Sequence, residues 1–83
     1  MTDPADRRRS LLATLYFAPA STATALALAR DMERVHSIAT SRDQVRGDLA
    51  WLQEQGLVAL HDDVAQLTER GRDVARGAAA WSW

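Results

Sequence analysis

Residues 41–60 read SRDQVRGDLAWLQEQGLVAL, and the fold depends on how this stretch is parsed. Ser41 is a good N-cap and Gln44 stands three positions on, the S-x-x-Q spacing of a capping box. Val45, Leu49 and Leu52 fall at i, i+4 and i+7 and so share one face of a helix. Gly56 suits the left-handed residue that closes a helix, because it has no Cβ to clash. Leu57, Val58 and Leu60 then switch to a β-rich apolar run. A helix over residues 42–55 that enters a hairpin with no linker is the arrangement of a winged helix-turn-helix, in which that helix is the reading element.

Working back toward the N-terminus, Asp3-Pro4 marks a helix start, with Asp3 as cap and Pro4 in the first turn. Leu11, Leu12 and Leu15 form its apolar stripe, with Tyr16 at the edge, and Pro19 ends it. Ser21 or Thr22 is expected to cap a second helix, whose core stripe is Ala25, Leu28, Ala29, Met32 and Val35. Met32 reads as core filler and His36 as a cation suited to the helix C-terminus. Ser37 to Thr40 is a short turn plugged by Ile38, so the second and third helices form a helix-turn-helix unit.

Working forward, residues 57–60 and 64–67 are expected as two strands, with the turn in His61-Asp62-Asp63. Thr68 caps a last helix that runs toward Gly77. The expected fold class is therefore mainly α with a small β-hairpin: a three-helix core, a two-stranded wing and a C-terminal helix. Residues 1–77 read as one winged-helix domain and residues 78–83 as an apolar tail carrying Trp81 and Trp83.

Bulk composition narrows the function classes. Eighty-three residues suffice for one small core, and a chain of this size buries only ~60% of its unfolded surface, so extra burial against a partner is valuable. There is no cysteine, which excludes disulfides, thiolate metal sites and a cysteine nucleophile. No apolar run approaches the ~20 residues of a membrane span, and no apolar segment follows the early arginines as in a signal peptide. The expectation is a soluble cytoplasmic protein with no membrane partner. The net charge of −1 argues against strong non-specific binding of nucleic acid. All ten basic residues are arginine, the side chain best suited to bidentate contact with phosphate or guanine.

Projected down its axis, the third helix turns Asp43, Gly47, Ala50 and Glu54 outward. Arg42, Arg46 and Gln53 lie on one flank, and Gln44, Asp48, Trp51 and Gln55 on the other. A helix entering the major groove presents mainly its N-terminal half. Arg42, Gln44 and Arg46 are thus the candidate base readers, with Asp43 a candidate acceptor from cytosine. Ser41 is placed to touch phosphate, and Gly47 to let the duplex approach closely. Arg7, Arg8 and Arg9 are candidate auxiliary phosphate contacts. Against this stand Asp43 and Asp48 on or near the reading face, and an acidic wing tip in His61, Asp62 and Asp63.

Other chemistry is thin. His36, His61, Asp62 and Asp63 match no metal-ligand spacing, the glycines form no phosphate-cradling loop, and no catalytic constellation is legible, so neither cofactor, metal nor enzyme activity is expected. Trp51, Trp81 and Trp83 are candidate interface residues for a homodimer or another protein, because tryptophans left in water form the apolar patches that mark interfaces. The alternative is a tail folded back on the first helix.

The residues SRDQVRGDLAWL at 41–52, EQGLV at 54–58, LTERG at 67–71 and DVA at 73–75 together resemble a family of small proteins of Mu-like phages and prophages. These are described as winged-helix and loosely grouped with metalloregulator-like (ArsR-type) transcription factors. The resemblance covers most of the chain, strongest over 41–76, and implies a phage or prophage origin. The absence of cysteine and the short acidic wing depart from a metal-sensing repressor. Two readings follow. The first is a DNA-binding transcriptional regulator using the helix over 42–55 on double-stranded DNA; the second is a winged-helix module that binds a host or virion protein and no DNA.

Overall fold

The computed structural model describes residues 2–83. Four helices surround a three-stranded antiparallel sheet of order β1-β3-β2. Helix α1 (Pro4–Phe17) begins where expected, with Asp3 accepting from the Ala5 amide at 3.0 Å. A 3-10 turn over Pro19–Ser21 follows and leads into β1 (Thr22–Thr24). Neither expected cap of the second helix holds: Ser21 lies in the turn and Thr22 in the strand, and Thr24 caps α2 (Ala25–His36) by accepting from the Ala27 amide at 3.1 Å. Ser37 takes a left-handed conformation (φ 56°) and Ile38 N–H returns to the Met32 carbonyl at 3.1 Å, closing α2.

Helix α3 (Arg42–Glu54) starts at Ser41, whose Oγ accepts from the Gln44 amide at 3.0 Å. Only that half of the capping box forms. The Gln44 side chain instead accepts from the Thr40 hydroxyl at 2.8 Å. Gly56, at φ +78°, turns the chain out, and Leu57 N–H bonds the Leu52 carbonyl at 3.0 Å. Strands β2 (Val58–His61) and β3 (Val64–Leu67) pair with Val58 opposite Leu67 and His61 opposite Val64. The turn is thus Asp62-Asp63 alone, with Asp62 in the left-handed region that aspartate tolerates.

The hairpin is not a free two-stranded wing. β1 pairs with the other edge of β3, Thr22 opposite Gln66 and Thr24 opposite Val64. Thr-Ala-Thr has no apolar alternation to announce a strand; β3 recruits it by offering an unpaired edge. Helix α4 (Glu69–Ala75) is locked to the exit of α3. Thr68 Oγ1 donates to the Gly56 carbonyl at 2.8 Å and accepts from the Gly71 amide at 3.0 Å. Gly71 lies so close to the Leu57 carbonyl that a Cβ would overlap it.

The core is built from Leu11, Leu12 and Leu15 of α1, Leu28 and Met32 of α2, and Val45, Leu49 and Leu52 of α3, closed by Leu57, Val58, Ala65 and Leu67. Burying such side chains is worth about 1.5–3 kcal/mol each. Val35, expected in the core stripe, is 58% exposed. It borders an open groove beside the last turn of α1, with Phe17 and Ala13, rather than facing the core. Residues 78–83 do not stand apart: Trp81 and Trp83 pack against the core. No helix among the described residues is long and apolar enough to cross a membrane.

Candidate nucleic-acid interface

Helix α3 buries Val45, Asp48, Leu49 and Leu52 and leaves Arg42, Asp43, Gln44, Arg46 and Gly47 exposed along its first turns. Ser41 is exposed at the helix start, with its hydroxyl engaged on the Gln44 amide. The residues selected from the sequence are all solvent-accessible: Asp43 and Gly47 face outward, Arg42 and Arg46 lie on one flank and Gln44 on the other, with Ser41 at the helix N-terminus. Their freedom differs. Among the described residues Arg42 has no ion-pair partner within the chain, whereas Arg46 Nε lies 3.9 Å from Asp63 Oδ1 in the hairpin turn. Gln44 is tied to Thr40 through its carbonyl oxygen. Arg46, Leu49, Leu60, Asp62 and Asp63 line a shallow groove between α3 and the hairpin.

Asp48 departs from the expectation that it lies near the reading face. It is buried, and its carboxylate is claimed by α1: Arg7 Nε donates to Oδ2 at 2.6 Å and Arg7 Nη2 to Oδ1 at 3.0 Å. Arg8 Nε adds a longer contact at 3.6 Å. The hydrogen bond and charge of Asp48 raise the Arg7 pKa above its ordinary value, against burial, which lowers it. Arg7 and Arg8 are thus occupied inside the molecule, and of the three early arginines Arg9 alone is exposed. Position 48 is i+3 from Val45 and i+4 before Leu52, within the buried stripe. A charge there demands a cation, and that was the signal available in the sequence.

The tryptophans are gathered rather than spread. Trp51 and Trp83 stack with centroids 6.4 Å apart and an interplanar angle of 27°. The Arg8 guanidinium lies 4.3 Å over the Trp51 ring, Arg9 5.8 Å over Trp83 and Arg70 4.9 Å over Trp81. The candidate interface residues Trp51, Trp81 and Trp83 are accordingly engaged within the chain, and the tail lies back on α1 and α3. Trp81 Nε1 is buried without a hydrogen-bond partner among the described residues.

Among the described residues no group of three or more His, Asp or Glu side chains is arranged to hold a metal ion. His36 ends α2 and His61 ends β2. Comparison with protein-family models, with curated proteins and with solved structures finds no match.

Proposed function

We propose that this chain is a winged helix-turn-helix DNA-binding protein of a Mu-like phage or prophage, a transcriptional regulator acting in the host cytoplasm. Helix α3 enters the major groove. Arg42 and Arg46 reach guanine or phosphate, Gln44 an adenine edge and Asp43 a cytosine amine, while Ser41 sits at the backbone. Arg9, exposed although it lies 3.7 Å from Asp6, is the auxiliary phosphate contact that remains accessible; the resemblance over residues 41–76 supports the phage setting.

One observation carries the reading. Gly47 lies inside α3, exposed, with nothing within 4 Å of where its Cβ would be. A glycine in a helix interior costs about 1 kcal/mol relative to alanine. Nothing inside the molecule requires it, so a close approach from outside is the reason that remains. It stands beside Arg46 and one turn after Asp43, which makes a nucleic-acid backbone or base edge the fitting neighbour.

The test is retention of duplex DNA from fragmented phage and host genomes at two salt concentrations. Wild-type protein should select a site. Arg42→Ala with Arg46→Ala should abolish selection and lower the salt slope by about one for each phosphate no longer neutralised. Equal retention by wild type and double variant removes α3 as the reader.

The second reading, a protein-binding module, is favoured by Asp62 and Asp63. Asp63 faces Arg46 and so withdraws positive charge from the reading helix, and phosphate contacts supply most affinity for DNA. Failure to retain any duplex, with a folded protein, leaves this reading in place.

A further inference from the structure

Two consecutive hydroxyls converge on one residue at the start of α3. Ser41 Oγ accepts from the Gln44 main-chain amide at 3.0 Å, and Thr40 Oγ1 donates to Gln44 Oε1 at 2.8 Å. Main chain and side chain of Gln44 are thus both held by the turn that precedes the helix. Thr40 is half-buried and Gln44 exposed. Of the side chains proposed to read bases, Gln44 is the one that makes a hydrogen bond within the chain among the described residues.

From this contact we infer that Thr40 is a positioning residue for base selection: its hydroxyl fixes the Gln44 amide so that α3 selects adenine at one position of the duplex. The inference rests on the reading of α3 as a DNA-binding helix. The chemistry of the held amide names its partner. Thr40 fixes which end of the amide is oxygen; turned over, a glutamine exchanges acceptor for donor. The carbonyl oxygen has two lone pairs and Thr40 occupies one, so the other is left for the adenine amino group. The side-chain N–H groups have no partner among the described residues and are left for adenine N7. Guanine sets a second acceptor, O6, against the same oxygen. Cytosine sets its amino donor against the N–H groups, and thymine offers one acceptor beside a methyl group.

Stability gives little reason for the contact, since an exposed hydrogen bond replaces one to water. Ordering is the larger effect. A glutamine gives up more rotamer freedom than most side chains when it is held. Because that freedom is already gone in the free protein, it is not lost again on association. Thr40 suits the task, being β-branched and stiff at χ1. Gln44 also lies on the flank of α3 away from Arg42 and Arg46, so the base it reads is separate from theirs.

The test is selection from a pool of duplexes with a randomised centre, read by sequencing, with wild type, Gln44→Ala, Thr40→Val and Thr40→Ser. Circular dichroism confirms that each variant is folded, and Thr40→Ala stands in should Thr40→Val not fold. Wild type should enrich a site with adenine at one position. Gln44→Ala should lose about tenfold preference there and keep the other positions. Thr40→Val should lose about fivefold at the same position with an unchanged salt slope, because no phosphate contact is removed. Thr40→Ser should restore the preference. Before DNA is added, the side-chain amide protons of Gln44 in isotope-labelled protein should move to the positions of free glutamine in Thr40→Val and stay in place in Thr40→Ser. A wild type that enriches no sequence overturns the DNA reading and this inference together. A site enriched alike by wild type and Thr40→Val overturns the inference alone. So does a loss spread evenly over all positions, which marks Thr40 as merely structural, a base other than adenine at the position that depends on Gln44, or a Gln44 amide that Thr40→Val leaves unmoved.

Discussion

Arg7 Nε donates to Asp48 Oδ2 at 2.6 Å, joining the first turn of α1 to the middle of α3 across 41 residues of sequence. Both groups are largely removed from water, with side chains 14% and 5% exposed. Removing Asp48 leaves Arg7 unpaired, and removing Arg7 leaves Asp48 only the longer 3.6 Å contact with Arg8, so each change costs about 3 kcal/mol. Arg7→Ala or Asp48→Ala should therefore lower the melting temperature by at least 10 °C, at about 4–8 °C per kcal/mol for a domain of this size. The double change Arg7→Met, Asp48→Leu should recover part of the loss, limited by Arg8, which loses the same carboxylate. A fall of a degree or two in either alanine variant would show the pair to be dispensable.

The same pair has a defined alkaline behaviour. The folded-state pKa of Arg7 lies above its ordinary value, chiefly through the Asp48 hydrogen bond. Its contribution to stability is complete below the unfolded pKa and is lost only as the pH rises through the folded one. The difference in melting temperature between wild type and Arg7→Ala should thus be equal at about pH 7 and about pH 10. Convergence of the two by the higher pH would contradict the assignment.

Two glycines should respond oppositely to alanine. Gly71→Ala drives a methyl group into the Leu57 carbonyl at the α4–β2 junction, an overlap that only backbone movement relieves, and should destabilise by more than about 2 kcal/mol. Gly47→Ala meets open space and should stabilise by about 0.5–1 kcal/mol. If Gly47 serves a close approach by DNA, the stabilised variant should bind duplex more weakly. A variant both more stable and equally good at binding would discard that role.

Asp63 lies beside Arg46 and, on the proposed function, would compete with DNA for it. Their separation of 3.9 Å and partial exposure make the pair a weak one. If Arg46 faces phosphate as proposed, replacing the carboxylate beside it removes repulsion from the duplex. Asp63→Asn should leave thermal stability within about 0.5 kcal/mol and raise duplex affinity several-fold at low salt, less at high salt. Unchanged affinity in a DNA-binding wild type places the turn clear of the duplex.

The stack of Trp83 on Trp51 holds the C-terminal residues against the body. Trp83→Ala should cost about 1–2 kcal/mol, combining reduced burial with removal of an aromatic pair, and should shift the remaining tryptophan emission toward that of hydrated indole. No change in emission or melting would mean that the tail is not anchored.

Much of this molecule is legible in local pattern. The caps at Asp3, Ser41 and Thr68, the glycine exit at Gly56, and the periodic leucines of α1 and α3 are properties of short segments, and each forms where spacing and capping chemistry place it. The exposed face of α3 follows from the same periodicity, because burying Val45, Leu49 and Leu52 leaves the opposite side to solvent. Tertiary structure decided the rest. β1 exists because β3 has a free edge, so Thr24 and not Ser21 or Thr22 starts α2. Val35 belongs to an apolar stripe but lies where no element covers it, while Asp48 looks like a surface acid but lies where α1 delivers two arginines. Periodicity says which side chains share a face. Whether that face meets a leucine, an arginine or water depends on how the helices cross, a long-range property that no segment carries alone.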